Sequence, residues 1–191
     1  MNEDTIRIAV LSDTHGLLRR CVVRAVQDCS VILHAGDIIH ESDLDELAVY
    51  GSLYAVRGNN DIWMSGVCDL AGSLRFTIGG VTFFMTHDRR DVARDLTGVD
   101  AVIFGHSHRY SEERIDGRLW LNPGSCGRAR FGSDVTMAKI VVRGEKSAAW
   151  NGSTLRTRTT EERREILILC AGMVYTQCRK RGNRCPVRHR P

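Results

Sequence analysis

The chain has 191 residues, 42% of them hydrophobic and 26% charged, values that exclude a disordered or fibrous protein. Its length suits one domain with a sizeable core, which we expect to span residues 1–150. The formal net charge of +4 is concentrated in residues 151–191, which hold ten Lys or Arg against three Glu. The first 150 residues hold 17 basic against 20 acidic residues, which excludes a nucleic-acid-binding surface there by charge alone.

The two ends of the chain and its cysteines carry further expectations. Acidic residues at the amino terminus run directly into a predicted strand, without signal-peptide or transit-peptide features, so we expect a cytoplasmic protein. The seven cysteines are interpreted as reduced thiols, mostly in the core. Cys178 and Cys185, with His189, lack the spacing of a zinc site.

Strands and helices alternate in the first half of the chain. Apolar residues at helical spacing predict an amphipathic helix over residues 18–29, and a second helix is predicted from Ser42, a good N-cap residue, to residue 49. Alternation of this kind indicates parallel βαβ units. Runs of aliphatic and β-branched residues predict strands at 6–11, 31–34, 53–56, 81–85 and 101–104.

The second half is richer in antiparallel signals. Two hairpins are predicted, one around Gly79-Gly80 and one around Asp116-Gly117, with a helix-like stretch over residues 91–96 between them. Residues 135–142 and 147–150 supply further predicted strands. Two stacked mixed β-sheets flanked by helices, an α/β fold, accommodate both halves because each sheet must cover an apolar face.

Seven side chains of metal-ligand type stand in five short clusters, each directly after a predicted strand. In an open α/β sheet, ligands gather at the carboxyl ends of the strands. Two divalent cations about 3.5–4 Å apart can clamp a phosphoryl group, and they need a bridging carboxylate with imidazole and amide ligands around it. Asp37, in the middle of the set, is the candidate bridge. The clusters are Asp13 and His15, Asp37, Asn59, His87, then His106 and His108.

Six short motifs contain or adjoin these residues, and together they are far more specific than any one alone. They are LSDTHG at 11–16, HAGDI at 34–38, RGNND at 57–61, MTHD at 85–88, GHSH at 105–108 and NPGS at 122–125. On these motifs, residues 6 to about 150 resemble the calcineurin-like metallophosphoesterase superfamily. More closely, they resemble its small bacterial and archaeal phosphodiesterase branch.

The resemblance implies a four-layer αββα sandwich and a binuclear metal centre that hydrolyses a small phosphodiester. In this implied mechanism a hydroxide that bridges the two ions attacks phosphorus. Asp37, Asn59 and His106 are the candidate catalytic residues. The implied ligands are Asp13, His15, Asp37 and His108 for one ion, and Asp37, Asn59, His87 and His106 for the other.

The types of ligand atom indicate which metal ion is favoured, and the four retained histidines help to choose between competing functions. Mixed oxygen and imidazole donors favour Mn²⁺, with Mg²⁺, Ni²⁺, Co²⁺, Zn²⁺ or Fe²⁺ as alternatives. A phosphomonoesterase of the same fold and a non-catalytic scaffold similar to the retromer subunit stay open as functions. Scaffolds derived from such enzymes tend to lose ligand histidines, and this chain keeps all four, which favours an enzyme.

Two positions depart from the family pattern. Many members carry His at the third position of the GNxD motif, where it assists the transition state or the leaving group; here that residue is Asn60. Substrates with good leaving groups are therefore expected. Asp88 stands where the family usually has Gly and adds a carboxylate near the site, which would alter metal preference.

Neighbouring polar residues are given structural roles. Arg57 and Asp61 are expected to position the loop of Asn59 by hydrogen bonds. Asn122 and Ser125 are expected to support the site from a turn. Of the remaining histidines, His34 is predicted to be a core residue and His40 a loop residue.

The final forty residues have their own pattern. Residues 166–175 form an apolar run that is too short to span a bilayer, and we interpret it as a short helix or strand docked on the domain or on a partner. A disordered basic tail is expected to follow, and contact of residues 176–191 with RNA or anionic lipid is the alternative. The apolar run and exposed strand edges would also suit a homodimer.

Overall fold

In the computed structural model, residues 5–128, 134–143 and 166–170 are described. Within these ranges the chain forms ten strands, two α-helices and one 3₁₀ helix at Arg89–Asp91. In chain order the strands and α-helices are β1 (Thr5–Leu11), α1 (Arg20–Val26), β2 (Val31–His34), α2 (Glu41–Ala48), β3 (Ser52–Ala55), β4 (Ser73–Ile78), β5 (Val81–Thr86), β6 (Ala101–Ile103), β7 (Tyr110–Ile115), β8 (Arg118–Pro123), β9 (Ala138–Arg143) and β10 (Ile166–Cys170).

The strands form two mixed sheets of five. The first has the order β10-β9-β1-β2-β3, in which β1, β2 and β3 are parallel and β9 and β10 are antiparallel to their neighbours. The second has the order β4-β5-β6-β8-β7, with a parallel centre of β5, β6 and β8 and an antiparallel strand at each edge. The predicted fold class of two mixed sheets is confirmed.

Strand β1 shows how the sequence builds the layers. Its side chains alternate between two apolar environments, as a period of two residues requires. Ile8 and Val10 face the cluster between the sheets, whereas Ala9 and Leu11 face the cluster under the helices. All four are fully buried, so β1 is a central strand covered on both faces.

Three apolar clusters separate the layers. The largest lies between the two sheets and includes Ile8 and Phe83. A second joins Ile32 of the first sheet to Val26 of α1. The third lies on the outer face of the second sheet around Val102. Burying each large aliphatic or aromatic side chain contributes about 1.5–3 kcal/mol, so these clusters form the rigid support on which the loops rest.

The predicted helix over residues 91–96 is wrong. The 3₁₀ helix ends at Asp91, and Val92 has an extended backbone with φ −64° and ψ 130°. Val92 and Leu96 nevertheless pack against the third apolar cluster. Two apolar residues are enough to attach an irregular segment to the sheet, because burying apolar surface is favourable in any backbone conformation.

Smaller differences concern element ends. Helix α2 begins at Glu41 with His40 as its N-cap, so the prediction that Ser42 caps this helix is wrong. The His40 carbonyl accepts a hydrogen bond from the Asp43 amide and starts the turn earlier. Helix α1 is shorter than predicted, and β9 begins at Ala138 rather than at residue 135. Both predicted hairpins and all five predicted strands of the parallel cores are present.

The carboxyl-terminal predictions are covered only in part. From the predicted apolar run, β10 forms a strand that pairs antiparallel with β9. The predicted strand at 147–150, the basic tail and the group of Cys178, Cys185 and His189 lie outside the described residues. Four cysteines are free thiols, as expected: Cys21, Cys29, Cys68 and Cys126. Within the same ranges, no helix has the length and apolar character to cross a membrane.

Candidate metal centre

The parallel strands of both sheets direct their carboxyl ends to one place. The loops after β1, β2 and β3 carry the Asp and Asn members of the predicted set, and the loops after β5 and β6 carry three of its histidines. The two sheets are joined here by a hydrogen bond from the His106 amide to Asp13 Oδ2 at 3.2 Å. His87 Nδ1 also lies 2.7 Å from the carbonyl of Ala35. The site is therefore built across the top of the sandwich.

Backbone strain is concentrated in these loops. Seven described residues other than glycine have a positive φ, and five of them belong to the predicted ligand set. Such a backbone costs roughly 1–3 kcal/mol per residue and persists only where the surrounding structure imposes it. The five are Asp13 at 57°, His15 at 48°, Asp37 at 57°, His106 at 68° and His108 at 56°.

One compact group consists of Asp13, His15 and His108. The Nε2 atoms of the two histidines lie 3.2 Å apart, and Asp13 Oδ1 lies 3.2 Å from His108 Nε2 and 3.8 Å from His15 Nε2. The two imidazole rings are stacked, with centroids 5.1 Å apart. A carboxylate oxygen and two imidazole nitrogens thus converge on one small volume, as a divalent cation requires.

A second compact group consists of Asp13, Asp37 and His87. Asp37 Oδ2 lies 3.3 Å from His87 Nε2 and 3.7 Å from His15 Nε2, so this oxygen reaches histidines of both groups. The two groups also share Asp13. Both carboxylates are therefore central to the arrangement, whereas sequence reasoning singled out only Asp37 as a shared residue.

Asn59 and His106 form the open side of the site. His106 Nδ1 lies 3.1 Å from Asn59 Oδ1, and the His106 ring meets the His87 ring edge-on at a centroid distance of 5.2 Å. The His106 side chain is 42% exposed, whereas that of His87 is 5% exposed. All seven predicted ligands are thus brought into one connected set, with two of them at its solvent-facing side.

The loop that carries Asn59 is held from beneath by Asp61. The fully buried Asp61 accepts hydrogen bonds from the amides of Ile38 and Ile39, both at 2.8 Å, and from the amide of Gly58 at 2.7 Å. Its carboxylate therefore connects the loops after β2 and β3. Arg57 donates to the carbonyl of Leu70 at 3.0 Å. The predicted positioning roles of Asp61 and Arg57 are confirmed.

Gly58 allows the closest approach of these two loops. A Cβ atom at this position would collide with the side chain and amide nitrogen of Asp37. The absence of a side chain at Gly58 therefore leaves the space that the Asp37 carboxylate occupies. In the RGNND motif, Gly58 thus allows the close approach, and the residue that follows it, Asn59, is a candidate ligand.

The turn after β8 supports the other loops. Asn122 donates to the Gly105 carbonyl at 2.6 Å, and the Ser125 hydroxyl donates to the Asp13 carbonyl at 3.0 Å. Ser12, which sequence reasoning did not single out, donates to Asp13 Oδ2 at 2.7 Å. Asn122 and Ser125 thus have the supporting role predicted for them, and the position of Ser12 beside Asp13 was the available signal for its role.

Burial and charge act differently on the two carboxylates. Burial raises the pKa of Asp13 from 3.8 to about 6, although the hydrogen bond from Ser12 opposes this. Burial also tends to raise the pKa of Asp37, but the nearby His87 and the hydrogen bonds from Asn60 hold this pKa below its ordinary value. The pKa of His87, which burial alone would lower, is raised by Asp37. An added cation would stabilise both carboxylates in their ionised form.

Two buried atoms test whether the residues fit metal ions. Asp13 Oδ1 and His87 Nε2 make no hydrogen bond among the described residues, although each lies within ion-pair distance of a neighbour. Buried polar atoms are nearly always hydrogen-bonded, so these two atoms point to a ligand between the loops. Carboxylate oxygen and imidazole nitrogen are the donors that divalent transition metals accept, and the site fits them.

Three residues make contacts that the sequence did not predict. Asn60 donates to Asp37 from its amide, at 2.9 Å to Oδ1, and from its side chain, at 2.6 Å to Oδ2. The fully buried His34, confirmed as a core residue, has its Nε2 3.2 Å from the Thr14 hydroxyl. Asp88 Oδ2 lies 3.5 Å from His106 Nε2. Each contact joins segments at the ends of neighbouring strands of one sheet, and no local sequence pattern encodes that meeting.

Comparison with known proteins agrees with this site. Residues 6–145 match the model of the calcineurin-like phosphoesterase superfamily domain. A probable metallophosphoesterase of Mycoplasma pneumoniae is 29% identical over 136 residues, which cover 62% of this chain and 78% of that protein. A phosphodiesterase of Methanocaldococcus jannaschii is 27% identical over 140 residues, with 63% and 84% covered.

Solved structures show the same fold. Vacuolar protein sorting 29 of Cryptosporidium parvum superposes with a TM-score of 0.63 at 16% identity, covering 74% of this chain and 88% of that one. An archaeal phosphodiesterase superposes with a TM-score of 0.61 at 21% identity, covering 86% and 99%. The match over residues 6–145 extends through most of the chain and includes all seven candidate ligands. The chain therefore belongs to the calcineurin-like phosphoesterase superfamily, and the chemistry of its site is that of a metal-dependent phosphoesterase.

Proposed function

We propose that the chain is a phosphodiesterase that binds two divalent cations and hydrolyses small phosphodiesters, with Mn²⁺ as the expected ion. The main observation behind this proposal is the position of Asp37 Oδ2, which lies 3.7 Å from His15 Nε2 and 3.3 Å from His87 Nε2. One oxygen within reach of both histidine groups is what a ligand shared by two ions must provide. The M. jannaschii phosphodiesterase supports the diester preference.

The chain would hold one ion with Asp13, His15, Asp37 and His108, and the other with Asp37, Asn59, His87 and His106. When bound, the two cations supply an activated water and neutralise charge on the phosphoryl group. Asp37 is oriented for this by the two hydrogen bonds from Asn60. Asp13 is oriented by Ser12. The protein's part is to fix these ligands before substrate arrives, which lowers the reorganisation cost of the reaction.

Asn60 also bears on the choice of substrate. Its side-chain amide donates to Asp37 Oδ2, so this group is engaged in holding a ligand. An amide at this position does not protonate a leaving group, because it is not an acid at neutral pH. We therefore propose a preference for diesters with good leaving groups, such as aryl esters, over alkyl diesters.

The test is an assay of chelator-treated protein with an aryl phosphodiester and the matching monoester, each with and without Mn²⁺. We expect Mn²⁺ to restore diester hydrolysis with little hydrolysis of the monoester. Comparable or faster monoester hydrolysis would replace the proposal with a phosphomonoesterase. No turnover with Mn²⁺, Mg²⁺, Ni²⁺, Co²⁺, Zn²⁺ or Fe²⁺ would instead favour the scaffold function.

A further inference from the structure

We propose that Asp88 is a positioning residue that holds the His106 imidazole in the tautomer required for metal binding. This inference rests on the proposed two-cation function and deepens it by adding a residue outside the ligand set. Asp88 immediately follows His87 at the end of β5, and His106 follows β6 on the neighbouring strand. The two loops therefore place a carboxylate beside a solvent-facing candidate ligand.

The two ring nitrogens of His106 face different groups. Nδ1 lies 3.1 Å from Asn59 Oδ1, on the side of the candidate ligands, and Nε2 lies 3.5 Å from Asp88 Oδ2. A nitrogen that binds a metal cannot carry a proton, so ligation through Nδ1 requires the proton on Nε2. That is the nitrogen that faces the carboxylate. A proton on Nε2 is favoured because it faces the anionic Asp88 oxygen. In the opposite tautomer, the lone pair of Nε2 would face the lone pairs of Asp88 Oδ2.

The Asp88 carboxylate is itself held in place. Its Oδ1 accepts the Arg90 amide at 2.9 Å, which caps the 3₁₀ helix. The Arg90 side chain adds hydrogen bonds from Nε at 3.0 Å and from Nη2 at 2.6 Å, both to Oδ2. The Asp88 side chain is 14% exposed, whereas that of Arg90 is 82% exposed. The arginine therefore holds Oδ2, the same oxygen that lies 3.5 Å from His106 Nε2.

These contacts explain why the exposed ligand needs such a residue. His106 is 42% exposed, so packing restrains its ring less than it restrains those of the buried histidines. The positively charged Arg90 side chain donates two hydrogen bonds to Asp88 Oδ2, an arrangement that suits an anionic carboxylate.

The experiment measures Mn²⁺ binding by isothermal titration calorimetry in the wild type and in Asp88→Asn, Arg90→Met and Asp91→Asn. Asp91→Asn is the matched control, because this exposed acid lies on the same 3₁₀ helix. We expect Asp88→Asn to weaken one of the two Mn²⁺ sites by about 10–100-fold and to leave the other unchanged. Asp91→Asn is expected to match the wild type, and Arg90→Met to fall between them.

A spectroscopic measurement separates a tautomer effect from a local structural effect. Long-range ¹H–¹⁵N spectra of the Zn²⁺-loaded wild type should show His106 protonated at Nε2, with that resonance shifted in Asp88→Asn. A wild-type His106 protonated at Nδ1 would overturn the inference even if the variant failed to fold. Unchanged Mn²⁺ affinities in a folded Asp88→Asn variant would overturn it as well. Because neither measurement requires turnover, a failure of hydrolysis counts against the proposed activity alone.

Discussion

The candidate metal centre has a buried half and an exposed half that are built differently. The buried half consists of Asp13, His15, Asp37, His87 and His108, and the exposed half consists of Asn59 and His106. Asp13 is fully buried, whereas the His106 side chain is 42% exposed. In the buried half, His87 Nδ1 lies 2.7 Å from the carbonyl of Ala35, a residue of the apolar cluster between the sheets. The exposed half is held by polar contacts between loops.

The difference shows where precision comes from in each half. Strained backbone occurs in both halves, at Asp37 with a φ of 57° and at His106 with a φ of 68°. In the buried half the side chains are also almost fully enclosed, and this burial helps to orient them. In the exposed half, polar neighbours such as Asp61 and Asp88 restrain the loops and the ring. Substitutions should therefore act on metal binding as a whole in the buried half and more selectively in the exposed half.

The largest effect is expected for Asp37→Asn in the buried half. This change removes the negative charge that serves both proposed ions. Replacing a residue that only supports a metal ligand typically costs about 10–100-fold in activity. Because Asp37 is itself a proposed ligand, we expect loss of two-metal binding and a fall in kcat of more than about 100-fold. Calorimetry with Mn²⁺ and the diester assay measure it. Asp45→Asn, an exposed acid on α2, is the control and should behave as the wild type. Retained turnover in Asp37→Asn would contradict the assignment of Asp37 as the shared ligand.

Gly58→Ala tests the contact between the two halves. The new Cβ would collide with Asp37, so we expect a loss of about 1–3 kcal/mol in unfolding free energy together with weaker Mn²⁺ binding. Gly72→Ala is the matched control, because nothing lies closer than 4.0 Å to a Cβ there. Urea unfolding of both variants measures the difference. Equal stability of the two would show that the loops can separate without cost.

A smaller effect is expected for Asn60→Ala, which removes the side-chain hydrogen bond to Asp37 and keeps the amide one. A hydrogen bond to a charged group contributes roughly 1.5–3 kcal/mol when buried, and this one is partly exposed. We therefore expect about a tenfold fall in kcat/KM, with two ions still bound. A fall as large as that of Asp37→Asn would mean that Asn60 contacts the substrate itself.

The smallest effect on activity is expected for the core residue His34, whose replacement should act mainly on how stability depends on pH. Burial lowers its pKa from 6.5 to about 3, so between these values the unfolded chain binds a proton that the folded chain does not. The contribution of neutral, buried His34 to the free energy of unfolding is therefore fully present above pH 6.5. It is lost as the pH falls, by up to about 1.4 kcal/mol per pH unit. Urea unfolding of His34→Gln should show a shallower fall than the wild type between pH 6.5 and 5. An unchanged slope in His34→Gln would contradict a contribution from His34.

Much of the architecture followed from local patterns. Aliphatic runs placed the parallel strands, and the Gly79-Gly80 and Asp116-Gly117 pairs placed both hairpins. Where the signal was short and amphipathic, as over residues 91–96, the prediction failed. Val92 and Leu96 contact the outer face of the second sheet, and that contact is satisfied without helical hydrogen bonds. Propensity is a weak determinant when tertiary burial can be met in another conformation.

The site could be predicted from the ligand-type residues that follow successive strands in the sequence, because a parallel sheet brings the carboxyl ends of its strands to one edge. The identity of the ligand-type residues, the fold class and the family resemblance all came from that order. Folding decided which atoms face each other: Asn60 to Asp37, Asp88 to His106, and Asp61 to the loop after β2. These contacts join loops that follow neighbouring strands of one sheet, β2 and β3 or β5 and β6. Their distances depend on how the strands pair and how the loops pack in the folded protein, which no local sequence pattern encodes.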